Sequence, residues 1–149
     1  YASGSTMLSG PAIARGRQGN SMRAERTQRM ALLLVDDEPA LANALARSLT
    51  VRGHVVETAG SHAAAMEAVG KTAFDLFLID INLPDASGWD VLRDIAAAVV
   101  STPAVVFSAV PPSTQRVREF QPYGVLVKPF PIDALVRLVD QVEKEKFGE

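Results

Sequence analysis

The stretch FDLFLIDINLPDASG, residues Phe74–Gly88, is the part of the chain that decides the fold. Its first half is a nearly continuous run of aromatic and branched apolar side chains, which is typical of a strand buried on both faces of a parallel sheet. Asp80 ends this run, and the loop that follows contains Asn82, Pro84 and Gly88. We therefore expect the Asp80 side chain at the carboxyl edge of the sheet, where open α/β sheets bind their ligands.

The rest of the chain alternates short apolar runs with longer segments of helical period. The predicted strands are 31–35, 54–59, 75–80, 103–108 and 123–128, and the predicted helices begin near Pro39, Ser61, Gly88, Ser113 and Pro131. This alternation predicts parallel strands joined by right-handed crossovers, with helices on both faces of the sheet. The fold class is therefore α/β, a flavodoxin-like doubly wound five-stranded parallel sheet of order 2-1-3-4-5 with five helices.

Local signals mark the ends of several predicted elements. Pro39 is suited to a first helical turn, and Gly53 is suited to the turn that ends the same helix. Ser61 is expected to cap the second helix, and Gly70 is expected to end it. The mixed polar and apolar pattern of residues 54–59 indicates a strand near an edge of the sheet.

Length and composition favour one domain. The chain has 149 residues, of which 48% are hydrophobic, so it can bury one core. Residues 1–29 have no regular period and contain five arginines but one glutamate, and we interpret them as a flexible or partly expression-derived leader. The remainder, 30–146, is acidic. Cysteine chemistry is excluded because the sequence has no cysteine, and no apolar run approaches the roughly 18 residues of a membrane span. We expect a cytoplasmic protein.

Polar residues follow four of the predicted strands. Asp36 and Asp37 follow the first strand, Asp80 ends the third, Ser108 ends the fourth and Lys128 ends the fifth. In the predicted strand order these residues converge on one pocket. Three carboxylates at such short range would raise one another's pKa unless a cation joined them, and hard oxygen ligands suit Mg²⁺ or Mn²⁺.

This set of residues suggests phosphoryl transfer. With a divalent cation bound, Asp80 can attack the phosphorus of an incoming phosphoryl group. Lys128 supplies a second positive charge to the transferring oxygens, and the Ser108 hydroxyl can hydrogen-bond an oxygen of the product. The product would be an aspartyl phosphate, a mixed anhydride that hydrolyses readily and is therefore suited to signalling.

In these motifs the chain resembles the receiver domain of two-component response regulators over about residues 30–146. The matching positions are the acidic pair Asp36 and Asp37, the acceptor Asp80, the loop residues Asn82, Pro84 and Gly88, the hydroxyl residue Ser108, and Lys128-Pro129-Phe130. The resemblance implies that Asp37 and Asp80 bind the metal directly, that Asp36 acts from the outer shell and that Asn82 contributes its backbone carbonyl. It also implies a cis bond between Lys128 and Pro129.

One position departs from the family pattern. Receiver domains usually have Tyr or Phe three residues before the lysine as a rotamer switch, and here that residue is Val125. We consider two alternatives: Tyr123, on the same face of the strand, replaces the switch, or movement of the loop after Ser108 carries the signal. The pair Pro111-Pro112 is expected to stiffen that loop and to shorten the fourth helix.

The resemblance implies a signalling phosphoacceptor rather than an enzyme that acts on a free substrate. Its expected partner is a histidine kinase or a histidine phosphotransfer protein, with homodimerisation through the helix 4, strand 5 and helix 5 face. The chain ends soon after its last predicted helix, so we expect no direct nucleic-acid binding, and no membrane binding. The alternatives are an interaction module that acts without phosphorylation and a metal-dependent phosphohydrolase. Phosphohydrolases of this kind usually have an Asp-x-Asp motif after the first strand, and this sequence has the adjacent pair Asp36 and Asp37 instead.

Several other residues have ordinary structural interpretations. His54 and His62 are expected to be surface or helix-start residues without a metal or relay role. Asp85 is expected to cap a helix or a turn, and Trp89 is expected to pack in a partly buried position.

Overall fold

The structure, a computed structural model, describes residues 4–6, 8–9, 29–98 and 101–148. The main sheet has five parallel strands, β1 (Ala31–Val35), β2 (Val55–Ala59), β3 (Leu76–Asp80), β4 (Ala104–Ser108) and β5 (Gly124–Val127), in the order β2-β1-β3-β4-β5. The helices that follow them are α1 (Pro39–Val51), α2 (His62–Lys71), α3 (Gly88–Ala98), α4 (Thr114–Phe120) and α5 (Ile132–Phe147). The predicted fold class and strand order are confirmed, and each strand ends within one residue of its predicted bounds.

Strand β1 shows how one apolar run supplies two cores. Leu32 and Leu34 belong to the cluster formed with α1 and α5, whereas Leu33 and Val35 belong to the cluster formed with α2 and α3. Successive side chains of a strand point to opposite faces, so this run has to be apolar at every position. All four side chains are fully buried.

Most predicted helix ends are confirmed. Pro39 lies in the first turn of α1, and Gly53 follows that helix with a φ of +98°, a left-handed conformation that favours glycine. Ser61 caps α2, because its side chain accepts a hydrogen bond from the Ala64 N–H at 3.1 Å.

The prediction that Gly70 ends α2 is wrong. The helix continues to Lys71, and Thr72 closes it with an extended backbone while its N–H donates to the Ala68 carbonyl at 2.9 Å. A helix can end on an extended residue without a left-handed glycine, so a glycine near the end of an apolar period is an ambiguous stop signal.

The leader differs in part from its prediction. Gly4–Thr6 and Leu8–Ser9 form a separate pair of short parallel strands, where the sequence predicted no strand. Segments this short leave no periodicity to detect. The rest of the prediction for residues 1–28 lies outside the described residues.

Two further predictions concern exposure. Strand β2 lies at an edge of the sheet as predicted, and Val55 is largely exposed there. Within the ranges that the structure describes, we find no helix with the length and apolar character required to cross a membrane.

Candidate functional site

The register of the sheet brings the ends of β1 and β3 together. Val35 is the register partner of Ile79, so Asp36 and Asp80 are the next residues of two neighbouring parallel strands. One carboxylate oxygen from each of Asp36, Asp37 and Asp80 lies within 4.8 Å of the other two. Asp36 and Asp80 are buried, whereas Asp37 is exposed to solvent. The predicted convergence of these carboxylates is therefore found.

Lys128 is the cation of this cluster. Its ammonium group donates to Asp80 Oδ2 at 2.7 Å and lies 3.8 Å from Asp36 Oδ2. Burial alone would lower the pKa of Lys128, but the hydrogen bond to Asp80 and the charges of Asp36 and Asp80 outweigh burial and raise it. Lys128 is therefore charged and directed at the predicted acceptor.

A third contact of Lys128 was not predicted. Its ammonium group also lies 3.3 Å from Glu38 Oε1, although Glu38 is mostly exposed. Glu38 is the N-cap residue of α1, and its side chain makes no capping hydrogen bond there. Its position next to Asp36 and Asp37 in the chain is the one signal in the sequence that could have indicated this contact.

Asp36 is the most perturbed carboxyl group of the site. Burial raises its pKa from 3.8 to about 6, and the negative charge of Asp80 acts in the same direction. The N–H of Glu38 opposes this shift by donating to Asp36 Oδ1 at 2.9 Å. The second oxygen, Oδ2, is buried and has no hydrogen-bond partner among the described residues. One lysine therefore leaves the cluster short of positive charge.

The cluster fits a hard divalent cation. Its three converging carboxylates could hold a metal ion, and the unpartnered Oδ2 of Asp36 is the kind of buried acceptor that a cation or its water ligands would satisfy. The N–H of Asn82 donates to Asp80 Oδ1 at 2.9 Å, which holds the loop after the strand against the cluster. The role of the Asn82 carbonyl stays a prediction.

Gly88 fixes the start of α3 against the backbone of Asp80. A Cβ atom at residue 88 would lie 2.4 Å from the Asp80 carbonyl oxygen and 2.7 Å from the Ile81 Cα. These are backbone atoms, so no side-chain rotation could relieve the overlap. The loop from Asp80 to Gly88 can close in this way because residue 88 lacks a side chain.

Ser108 and the residues after Lys128 complete the edge. Ser108 is buried, lies beside Val127 in the register, and its hydroxyl donates to the Val110 carbonyl oxygen. The peptide bond between Lys128 and Pro129 is cis, as the resemblance implied.

The structure corrects one structural prediction and confirms two. His54 is buried rather than at the surface, and its Nδ1 accepts a hydrogen bond from the Met30 N–H at 3.2 Å where β1 and β2 begin. Asp85 is a capping residue as predicted, and it caps α2 by accepting from the His62 N–H at 2.9 Å. Trp89 packs as predicted and is buried.

Tyr123 lies away from the cluster. Its N–H donates to the Ala104 carbonyl oxygen at 2.7 Å, at the start of β4. Asp80 is the register partner of Phe107 near the other end of that strand, so the two positions differ by about 10 Å along the sheet.

Comparison with known proteins identifies the family. A family model described as the response regulator receiver domain matches residues 32–140. The chain belongs to the response regulator receiver family. The receiver is a signalling domain of two-component systems rather than a conventional enzyme, as the sequence predicted.

Two transcriptional regulatory proteins illustrate the relationship in sequence. KdpE of Mycobacterium tuberculosis is 36% identical over 104 residues, which cover 68% of this chain and 46% of KdpE. CusR of Escherichia coli is 33% identical over 112 residues, which cover 74% of this chain and 49% of CusR. The chain thus spans about half the length of these curated relatives.

Solved structures of receivers have the same fold. The non-phosphorylated HemR receiver domain of Leptospira biflexa has a TM-score of 0.71 at 27% identity and covers 76% of this chain and 93% of its own. TrrA of Thermotoga maritima, crystallised in complex with Mg²⁺-BeF, has a TM-score of 0.68 at 25% identity and covers 75% of this chain and 97% of its own.

Proposed function

We propose that Asp80 accepts a phosphoryl group from a histidine kinase or a histidine phosphotransfer protein, with Mg²⁺ bound beside it. The phosphorylated receiver then changes its partner affinity or its oligomeric state. One observation carries the proposal: oxygens of Asp36, Asp37 and Asp80 lie within 4.8 Å of one another, and the Lys128 ammonium lies 2.7 Å from Asp80. The Mg²⁺-BeF complex of TrrA supports the choice of metal, and Mn²⁺ is a chemically suitable replacement.

Each residue of the site has a proposed role toward the metal. Asp37 and Asp80 would bind it through carboxylate oxygens, Asn82 through its backbone carbonyl, and Asp36 from the outer shell. When bound, Mg²⁺ supplies positive charge that offsets the negative charge of the transferring phosphoryl group. This assignment agrees with the unpartnered Oδ2 of Asp36, which can accept from a metal-bound water.

In the transfer, a carboxylate oxygen of Asp80 attacks the phosphorus in line with the donor. The bond between phosphorus and the donor histidine nitrogen breaks, and the nitrogen keeps its electron pair. Lys128, which donates to Asp80 Oδ2 before the reaction, can redirect its hydrogen bond to a phosphoryl oxygen. Burial of Asp80 keeps bulk water from competing with these contacts.

Ser108 links the product to the loop after β4. Its hydroxyl donates to the Val110 carbonyl, so it must release that carbonyl before it can donate to a phosphoryl oxygen. Val125 has no ring with which to follow the hydroxyl inward, and Tyr123 lies too far along the strand. Of the two alternatives for the switch, we therefore favour movement of this loop.

The domain and its associations complete the proposal. We assign the receiver to residues 30–146, with 1–29 as a leader outside it, and we place the protein in the cytoplasm with its kinase. The α4, β5 and α5 face is the proposed homodimer interface, and Val117, Val127 and Ile132 are partly exposed on it.

The test is labelling with a small phosphodonor. We expect the protein to gain one phosphoryl group in Mg²⁺ and acetyl phosphate, measured by intact mass, and the Asp80→Asn variant to gain none. Asp85→Asn is the matched control, because it alters a carboxylate of the same loop that caps α2, and it should label normally. Absence of labelling in folded protein would favour the interaction module. Sustained turnover of a phosphate ester would favour the phosphohydrolase.

A further inference from the structure

Helix α4 buries few of its side chains against the rest of the domain. None of its residues, all of which the structure describes, is buried, and Phe120 at its end is half-buried. Ser113 caps the helix by accepting from the Arg116 N–H at 3.1 Å, and Gln121 ends it in a left-handed conformation. Helices of this length are marginal without tertiary packing, so the position of α4 depends on few contacts.

One of these contacts is an aromatic stack. The ring centroids of Phe120 and Trp89 lie 5.1 Å apart, with an interplanar angle of 29°. Trp89 is 7% exposed and belongs to the first turn of α3. The Arg116 guanidinium lies 6.0 Å from the centroid of the Phe120 ring, which adds a weak cation–π contact. The stack therefore joins the end of α4 to the start of α3.

The start of α3 is in turn tied to Asp80. Gly88, the residue before Trp89, touches the backbone of Asp80 so closely that a Cβ would lie 2.4 Å from its carbonyl oxygen. The Gly88 N–H donates to the Ile81 carbonyl at 2.8 Å, and the Trp89 N–H donates to Ser87 Oγ at 3.0 Å. A shift of the Asp80 backbone must therefore move Trp89 as well.

We infer that the Trp89–Phe120 stack couples the state of Asp80 to the position of α4, and that it performs in this chain a task for which Val125 provides no ring. The inference rests on the proposed function of Asp80. It assigns Trp89 and Phe120 as coupling residues that touch neither the phosphoryl group nor the metal. Phosphorylation and its transmission to α4 are then separable by mutation.

The experiment measures deuterium uptake of residues 110–121 with and without beryllofluoride and Mg²⁺. In the wild type we expect a change in exchange of at least about fivefold, the lower range of ordinary coupling between sites. Phe120→Leu and Trp89→Leu should lose most of this change while still labelling on Asp80 with acetyl phosphate. Trp89→Phe, which preserves a stack, should retain the change.

Gln115→Ala is the control, because it removes an exposed side chain of α4 that does not stack on Trp89. It should respond as the wild type does. A labelled Phe120→Leu variant with the full wild-type response would overturn the inference, and so would a labelled wild type without any response in 110–121. Failure of the wild type to label would instead contradict the proposed function. Trp89 is the only tryptophan in the sequence, so its fluorescence reports independently on the stack.

Discussion

The polar side chains at the amino ends of the parallel strands, the amino edge of the sheet, differ in their charge balance from those at the carboxyl ends, the carboxyl edge. At the amino edge, Asp75 accepts from the Ala31 N–H at 2.7 Å and lies 3.3 Å from the Lys146 ammonium. His54 accepts there from the Met30 N–H. Its second ring nitrogen, Nε2, is buried and has no hydrogen-bond partner among the described residues. Burial lowers the pKa of the His54 ring and so favours its neutral form. These groups fasten the starts of the strands.

At the carboxyl edge, the carboxylates outnumber the lysine that lies beside them. Asp36 and Asp80 share Lys128 as their nearby cation, and Glu38 also lies beside that lysine. The carboxylate of Asp37 lies within 4.8 Å of those of Asp36 and Asp80. Burial and neighbouring negative charge raise the pKa of Asp36, which means that the folded state disfavours its charged form. The same fold thus uses polar groups for stability at one edge and retains unbalanced charge for a ligand at the other.

The largest difference is expected between substitutions of Lys128 and Lys146, each of which pairs with an aspartate. Lys128→Met should slow labelling by acetyl phosphate about 100-fold or more, because it removes a charge aimed at the transferring oxygens. Lys146→Met changes the equivalent pair at the amino edge and should leave the labelling rate nearly unchanged. Time courses of intact mass measure both. Similar losses in the two variants would contradict a functional difference between the edges.

The next effect concerns stability in the absence of metal. The pKa of Asp36 is about 6 in the folded state and 3.8 as its ordinary value, so between these values the folded state binds more protons than the unfolded state. The free energy of unfolding should therefore fall as pH rises through this interval, by about 3 kcal/mol from this group. Asp36→Asn should abolish this contribution and stabilise the metal-free protein at pH 7.

Urea unfolding in EDTA at several pH values measures this dependence. Gly70→Ala, which changes no ionisable group, is the control and should keep the slope of the wild type. A slope unchanged in Asp36→Asn would mean that its burial does not destabilise the fold.

A smaller effect is expected from two glycines. Gly88→Ala should lower the free energy of unfolding by roughly 1–3 kcal/mol, because its Cβ would overlap backbone atoms of the acceptor strand. Gly70→Ala lies in α2 with nothing within 4 Å of the new Cβ and should stabilise by about 0.5–1 kcal/mol. Chemical denaturation compares the two. Equal effects would show that residue 88 has more space than the structure gives it.

The smallest effect belongs to His54. Burial lowers its pKa below the ordinary 6.5, so the unfolded state takes up the proton first as the solution is acidified. The wild type should lose stability from this group below pH 6.5, and His54→Gln should remove that loss while costing roughly 1 kcal/mol through a weaker bond to Met30. The loss of stability below pH 6.5 should persist in His62→Gln. If it disappeared in that variant, the loss could not be attributed to His54.

The sequence by itself determined the order and type of the elements. The continuous apolar run of β1, the cap at Ser61 and the glycine at 53 are local signals, and each depends on residues close in the chain. It also determined which residues end each strand, and parallel strands then bring Asp36, Asp80 and Lys128 to one edge in any flavodoxin-like order. That is why both the fold and the convergence of the site could be predicted.

Only the tertiary structure decided how those residues are partnered. Glu38 reaches a lysine that follows it by 90 residues, and Asp85 caps a helix that precedes it in the chain. The buried His54 accepts from the backbone N–H of Met30, the residue before β1. The stack of Trp89 on Phe120 likewise joins two helices that neither periodicity nor capping relates. Such contacts depend on the spacing and orientation of packed elements, which a local pattern of apolar and polar residues does not encode.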